Sequence, residues 1–310
     1  TGDGGQTVTA YTAQFGNGLS ATLSLEAPRT TNVIGPGSSL SNFWTTGPST
    51  QSGATRYPDI VANVRMDASW GAAQIMGGIH DVAPLYYGAT NATGGPSYAT
   101  GFFVGAGIKL NAPMIGPGDY FSAQVNYAQG ATGYADDGAT NGATVATGGA
   151  GGYYSNLTAS SFGFGVITDG VYGSGVAGTS TSVDLTTVWG VNAAYEHHWN
   201  KRWQTSLYGA YLSTSYNATA NGELCVLQTG SATTAGCDNN WQYWAAGSRT
   251  QFNVDSQTYI GLDVIYTNLK TANAGLVTTV SGVQGQTGAR TISDQSAWIA
   301  EFRFHRNFYP

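Results

Sequence analysis

Four histidines, seventeen acids and eleven bases are the side chains with which this 310-residue chain could do proton or metal chemistry. His197 and His198 are adjacent and could serve a nearby serine as general base. They precede a short polar turn with Asn200, Lys201 and Arg202, and such a turn accounts for both histidines without catalysis. No G-x-S-x-G, P-loop or H-E-x-x-H occurs. Asp136-Asp137 and Asp238-Asn239-Asn240 offer the oxygens that Ca²⁺ takes, yet isolated pairs are a weak signal and suit solvated loops better. Cys225 and Cys237 sit in one Gly/Thr/Asn-rich stretch, without C-x-x-C spacing or a neighbouring histidine. A disulfide formed outside the cytosol is therefore expected rather than a metal site. The reading is of no enzyme, no cofactor and no metal.

Nine charges are more informative, because each falls on the polar parity of an alternating segment: Asp59, Arg65, Asp67, Lys109, Glu196, Arg249, Asp263, Glu301 and Arg303. Side chains of a strand alternate between its faces, so these charges share strands with apolar residues that point the other way. Facing lipid, a base at the bilayer midplane costs roughly 2–4 kcal/mol, whereas facing a wet lumen it costs little. The nine are expected to line such a lumen, where charged rings select ions by their field. Acids outnumber bases 17 to 11, so a weak cation preference is expected.

The elements that would carry them follow from alternation. Eleven segments fit a strand: 6–15, 18–27, 57–67, 70–81, 101–110, 119–128, 184–197, 202–216, 240–254, 257–269 and 295–308. In the last, Trp298, Ala300, Phe302, Phe304 and Phe308 share one parity, and Glu301, Arg303, His305 and Asn307 the other. Most segments have the ~9–11 residues that a tilted strand needs to cross a bilayer. Short connections (Gly16–Gly18, Asp67–Ser69, Asn111–Gly118, His198–Arg202, Asp255–Ser256) alternate with long ones at 28–56, 82–100, 129–183, 217–239 and 270–294. That rhythm is the mark of a meander threaded through a membrane. Region 129–183 is read as one long loop, with two further spanning strands as the alternative. Region 28–56 is read as an inward constriction or a cover for the rim. Trp70, Trp189, Trp199, Trp203, Trp241, Trp244 and Trp298 fall near strand ends, where indoles sit well at headgroup level.

Composition agrees. Charged residues are 9%, against about 25% in an ordinary soluble domain. Glycine reaches 45 residues and tyrosine 19, and no apolar run is long enough for a spanning helix. Net charge is −6, which argues against a nucleic-acid partner.

The closing stretch Trp298-Ile-Ala-Glu-Phe-Arg-Phe-His-Arg-Asn-Phe308 resembles the last strand of alphaproteobacterial (rhizobial-type) outer-membrane general porins. The stretches Val8–Glu26 and Tyr57–Arg65 are similar to a hairpin and the following strand of that family. The resemblance implies an all-β, transmembrane antiparallel meander barrel in the bacterial outer membrane. It implies passive diffusion of small hydrophilic solutes and ions, a homotrimer of barrels of about sixteen strands, and lipid and lipopolysaccharide as surroundings. On that alignment residues 1–310 form a single barrel domain of about 11–13 strands, which is either the C-terminal part of the barrel with N-terminal strands lacking or a smaller barrel of about twelve strands. The competing reading is a structural or adhesive barrel that displays its surface loops.

Overall fold

The structure, a computed structural model, describes residues 7–28, 32–36, 52–87, 91–135, 152–157, 160–173, 182–230, 232–283 and 286–307. Its strands, numbered in chain order, fall into three sheets. The large sheet is β1 (Val8–Gly16), β2 (Leu19–Glu26), β4 (Asp59–Ala68), β5 (Gly71–Val82), β6 (Ala99–Asn111), β7 (Tyr120–Gln129), β12 (Thr187–His198), β13 (Trp203–Ser215), β14 (Trp241–Asn253), β15 (Thr258–Lys270) and β18 (Gln295–Arg306). Each strand pairs antiparallel with the next in that order. Every predicted segment lies within three residues of its strand at both ends. Phe308 lies outside the described residues. The sheet is open among the described residues, with β1 and β18 as its two edges.

Tight turns set the register at one end. Asn17 and Gly18 both have positive φ, 52° and 83°, which a two-residue type I′ hairpin demands. A Cβ on Gly18 would stand 1.8 Å from the Asp67 carbonyl oxygen, whose own residue donates its N–H to the Gly18 carbonyl. Only glycine closes that corner.

Register then gives the sheet two characters, since residues directly opposite one another share a face. Leu262 opposes Phe302, Ile260 opposes Phe304 and Tyr266 opposes Trp298. These side chains belong to a broad apolar face that no other part of the described protein covers; Phe302 is 70% and Trp298 74% exposed. Aromatic rings band that face in two rows. Near the long connections Phe102 meets Tyr127 at 6.1 Å, Trp189 meets Tyr211 at 4.9 Å, and Tyr266 lies 5.3 Å from Trp244 and 5.0 Å from Trp298. Near the short turns Trp203 meets Phe252 at 4.8 Å.

The long connections build a layer of their own. In one small sheet β3 (Val33–Ile34) pairs parallel with β10 (Gly170–Val171), which pairs with β11 (Asp184–Leu185). The other has the order β16 (Val277–Val283), β17 (Gln286–Ile292), β9 (Ser161–Ile167), β8 (Gly152–Leu157). Helix α1 (Ala218–Thr229) starts at Asn217, whose side chain accepts from the Ala220 N–H, and stops at Gly230 with φ 81°. The Cys225–Cys237 disulfide ties its buried side to the following turn, with Cα atoms 6.0 Å apart.

This layer packs against the large sheet. Phe162, Phe164, Val166, Ile292, Ala220 and Leu224 share one buried cluster with Val61, Phe103, Ala128, Val188, Leu212, Trp241 and Leu269 of the large sheet. Those seven side chains all point to the face opposite the apolar one. The long connections thus fold inward, over one end of the inner face. For region 129–183 the described hairpin β8–β9 belongs to this layer and does not span. In region 28–56 the described β3 joins the layer too, while residues 37–51 lie outside the described residues. Helix α1 and the β16–β17 hairpin were not expected.

Candidate functional site

All nine predicted charges stand on the inner face. Asp263 opposes both Arg249 and Glu301, Arg249 opposes Ser206, and Ser206 opposes Glu196. Glu196 opposes Tyr120, two residues from Ser122, which faces Lys109. Lys109 opposes Ala72, and Ala72 opposes Asp67 beside Arg65 on its strand. With that one two-residue step along β7, the pairings run from β4 to β18 toward the short-turn end. Most of these groups are paired. Arg65 and Asp67 form a two-pronged ion pair at 2.7 and 2.8 Å, both exposed. Arg303 reaches Glu301 at 3.0 Å, and Arg249 stands 3.8 Å from Glu196, which also accepts from the Ser206 hydroxyl. Asp263 accepts from the Tyr208 hydroxyl. The exposed Arg65–Asp67 and Arg303–Glu301 pairs add little to stability.

Asp59 departs from the expectation. It shares the face but is fully buried, because the Thr132–Tyr134 turn folds over it. The Tyr134 hydroxyl donates to one carboxylate oxygen at 2.7 Å and His80 Nδ1 lies 2.8 Å from the other. His80 Nε2 is 3.7 Å from Asp169, which accepts from the backbone and hydroxyl of Thr132 at 2.8 Å and from the Asn32 N–H at 2.9 Å. The Tyr134 ring stacks on Phe103 at 3.8 Å. Buried charges persist where they are paired and hydrogen-bonded, and this cluster fastens the inward layer to β4 and β5. Asp59 therefore anchors the layer instead of lining open water. His80, Asp169 and Tyr134 carried no sequence signal beyond a lone histidine and a loop acid.

Trp241 departs in the same way. It is buried on the inner face, and its indole N–H donates to the Val166 carbonyl at 2.7 Å, so it holds β9 rather than sitting at headgroup level. Inner-face character thus changes along the strands. The long-connection end is apolar and covered, and the short-turn end is polar and open.

The paired histidines also find a role at the turn end. Asp119 accepts from His197 Nδ1 at 2.6 Å, the Tyr195 hydroxyl at 2.7 Å and the His198 backbone N–H at 2.8 Å. Burial by itself would raise the Asp119 carboxyl, but these donors win and hold it down at about 2. The turn after β6 is thereby clasped to the end of β12. His198 Nε2 stands 3.4 Å from Glu196. Of the proposed Ca²⁺ oxygens, Asp136 and Asp137 lie outside the described residues, and the Asp238 side chain accepts from the Asn240 N–H in a local turn.

Two hollows mark the open part of the inner wall. One, of about 350 Å³, is lined by Arg65, Gln74, Lys109, Ser122, Gln124 and Asn192 among others. The second, of about 340 Å³, runs from Ser122 on β7 to Ile299 on β18. Together they place open hollows on the inner face from β4 to β18. A polar wall backed by an apolar, aromatic-banded outer face can hold water on one side and lipid on the other.

Comparison with known proteins agrees on the architecture. The outer membrane channel DcaP of Acinetobacter baumannii superposes with a TM-score of 0.53 at 11% identity, over 96% of this chain and 62% of that one. An anion-selective porin from Comamonas acidovorans gives a TM-score of 0.43 at 9% identity, over 96% of this chain and 58% of that one. The chain thus spans about three fifths of the length of these structures. No curated protein sequence matches it. A family model does: residues 2–299 match the one described as Porin subfamily.

Proposed function

The chain belongs to the Porin subfamily, and we propose that its eleven-stranded sheet is the wall of a water-filled channel. Its place is the bacterial outer membrane. Small hydrophilic solutes and ions cross by passive diffusion, sorted by size at the narrowing and by the field of the wall charges, with no covalent step. One observation carries this reading: by register Arg65, Asp67, Lys109, Glu196, Arg249, Asp263, Glu301 and Arg303 share one face and the exposed aromatics the other. The inward layer supplies the narrowing. It reaches the wall through apolar contacts with seven strands and through the buried Asp59–His80 cluster.

Among the described residues no further strand pairs with the outer edges of β1 and β18, and lipid does not tolerate an open edge. We read the sheet as part of a barrel of about sixteen strands, of the rhizobial type, whose further strands pair with these edges. A trimer of such barrels and contact with lipopolysaccharide belong to the same reading. The alternative, a barrel that only displays adhesive loops, is less well supported, because the described long connections are spent on packing inward. Conductance across a planar bilayer tests the proposal. Stable openings in salt that also pass small sugars are expected; a protein that inserts yet never opens would sink it.

A further inference from the structure

We propose that the hollow between Arg65 and Lys109 is a binding site for small, singly charged hydroxy-carboxylates, which it would hold on their way through the lumen. The proposal rests on the channel reading above and adds a solute class to it. The hollow, of about 350 Å³, would hold roughly a dozen waters at ~30 Å³ each, enough for a solute of sugar-acid size.

Charge selects the ligand. The Arg65 guanidinium is taken up by Asp67 in a two-pronged pair. Lys109 has no acid partner among the described residues; its Nζ lies 4.2 Å from the centre of the Tyr120 ring. Arg249 and Arg303, further along the same face, each stand near a glutamate. The hollow therefore presents one uncompensated positive charge, matched by one carboxylate. Around it Gln74, Gln124, Asn192 and Ser122 line the wall. Amides and hydroxyls donate and accept alike, so they suit the hydroxyl groups of such a solute better than a bare inorganic anion.

Space is left for it at Gly107, also in the lining. A Cβ there would meet nothing nearer than 3.6 Å, so the floor is open and a side chain could be added without displacing the wall. The site is half-open to the lumen, which suits transient capture instead of tight binding.

The test uses the purified full chain with gluconate as probe, in planar bilayers at about 0.1 M salt, where charges are screened over ~10 Å. Gluconate should interrupt the salt current, and glucose should do so far less. Lys109→Gln should weaken the gluconate effect about ten-fold, the change expected for losing a charge-assisted contact, and Gly107→Leu should weaken it by filling the floor of the hollow. Lys201→Gln, on the turn between β12 and β13 and outside the lining of the hollow, should leave it unchanged. Equal interruption in wild type and Lys109→Gln would overturn the site. Calorimetric titration of the detergent-solubilised protein separates the two readings. Gluconate heat abolished by Lys109→Gln upholds the site even if no channel opens, and absence of any heat overturns it even in an open channel.

Discussion

Phe302 and Leu262 stand directly opposite each other across β15 and β18, and both turn away from the face on which their neighbours Glu301 and Asp263 are paired. A one-residue slip would exchange the two sets. Which face meets lumen and which meets lipid depends on this register.

Replacing Phe302 by arginine puts a charge on the apolar face, at a cost of roughly 2–4 kcal/mol if the site is near the bilayer midplane. Heat-modifiable migration in gels after refolding into vesicles should show a large loss of assembled protein. Arg303→Gln, one residue on, should assemble normally and change only the ratio of cation to anion permeability.

Phe164→Ala should loosen the inward layer. The ring is fully buried, and large-to-alanine changes at such sites cost about 3–5 kcal/mol. Hydrogen exchange should rise in Ser161–Ile167 while β14 and β15 stay protected, and single-channel conductance should increase.

Reduction of Cys225–Cys237 opens a loop with a sequence separation of 12, for which a stabilisation of about 3 kcal/mol is typical. The loss should fall on α1 alone. Circular dichroism should report less helix with the strand signal retained, and the paired Cys→Ser variant should behave like the reduced protein.

The Asp119 clasp makes a pH prediction. Its carboxyl is held at about 2, below the ordinary 3.8, so the folded state favours the ionised form. That stabilisation is fully present above pH 3.8 and is lost as pH falls through about 2. Trp199, which meets the His197 ring edge-on at 4.3 Å, should report the loss as a fluorescence change over that window. Asp119→Asn should remove the transition.

The wall was legible because period-two alternation is a local property, and Ile60, Val64, Leu262 and Phe302 declare it one strand at a time. The covering layer was not, because its partners are distant in sequence. Nothing near Asp59 announces Tyr134 or His80, and nothing near Trp241 announces Val166. Helix α1 left a faint trace, an Asn217 that can cap and a Gly230 that can stop a helix, but its Gly/Thr/Asn-rich surroundings resembled the other loops. The paired histidines were legible as part of a polar turn, but their partner Asp119, 78 residues away from His197, was not.

The most direct test of the two-faced wall is thiol accessibility in reconstituted vesicles, with single cysteines at 301 and 302. Both native cysteines are locked in the disulfide, so only the new thiol reacts. Glu301→Cys should be modified rapidly by a membrane-impermeant charged reagent, with a change in conductance, and Phe302→Cys should resist it. Rapid modification of Phe302→Cys with protection of Glu301→Cys, or equal rates at both, would contradict the account.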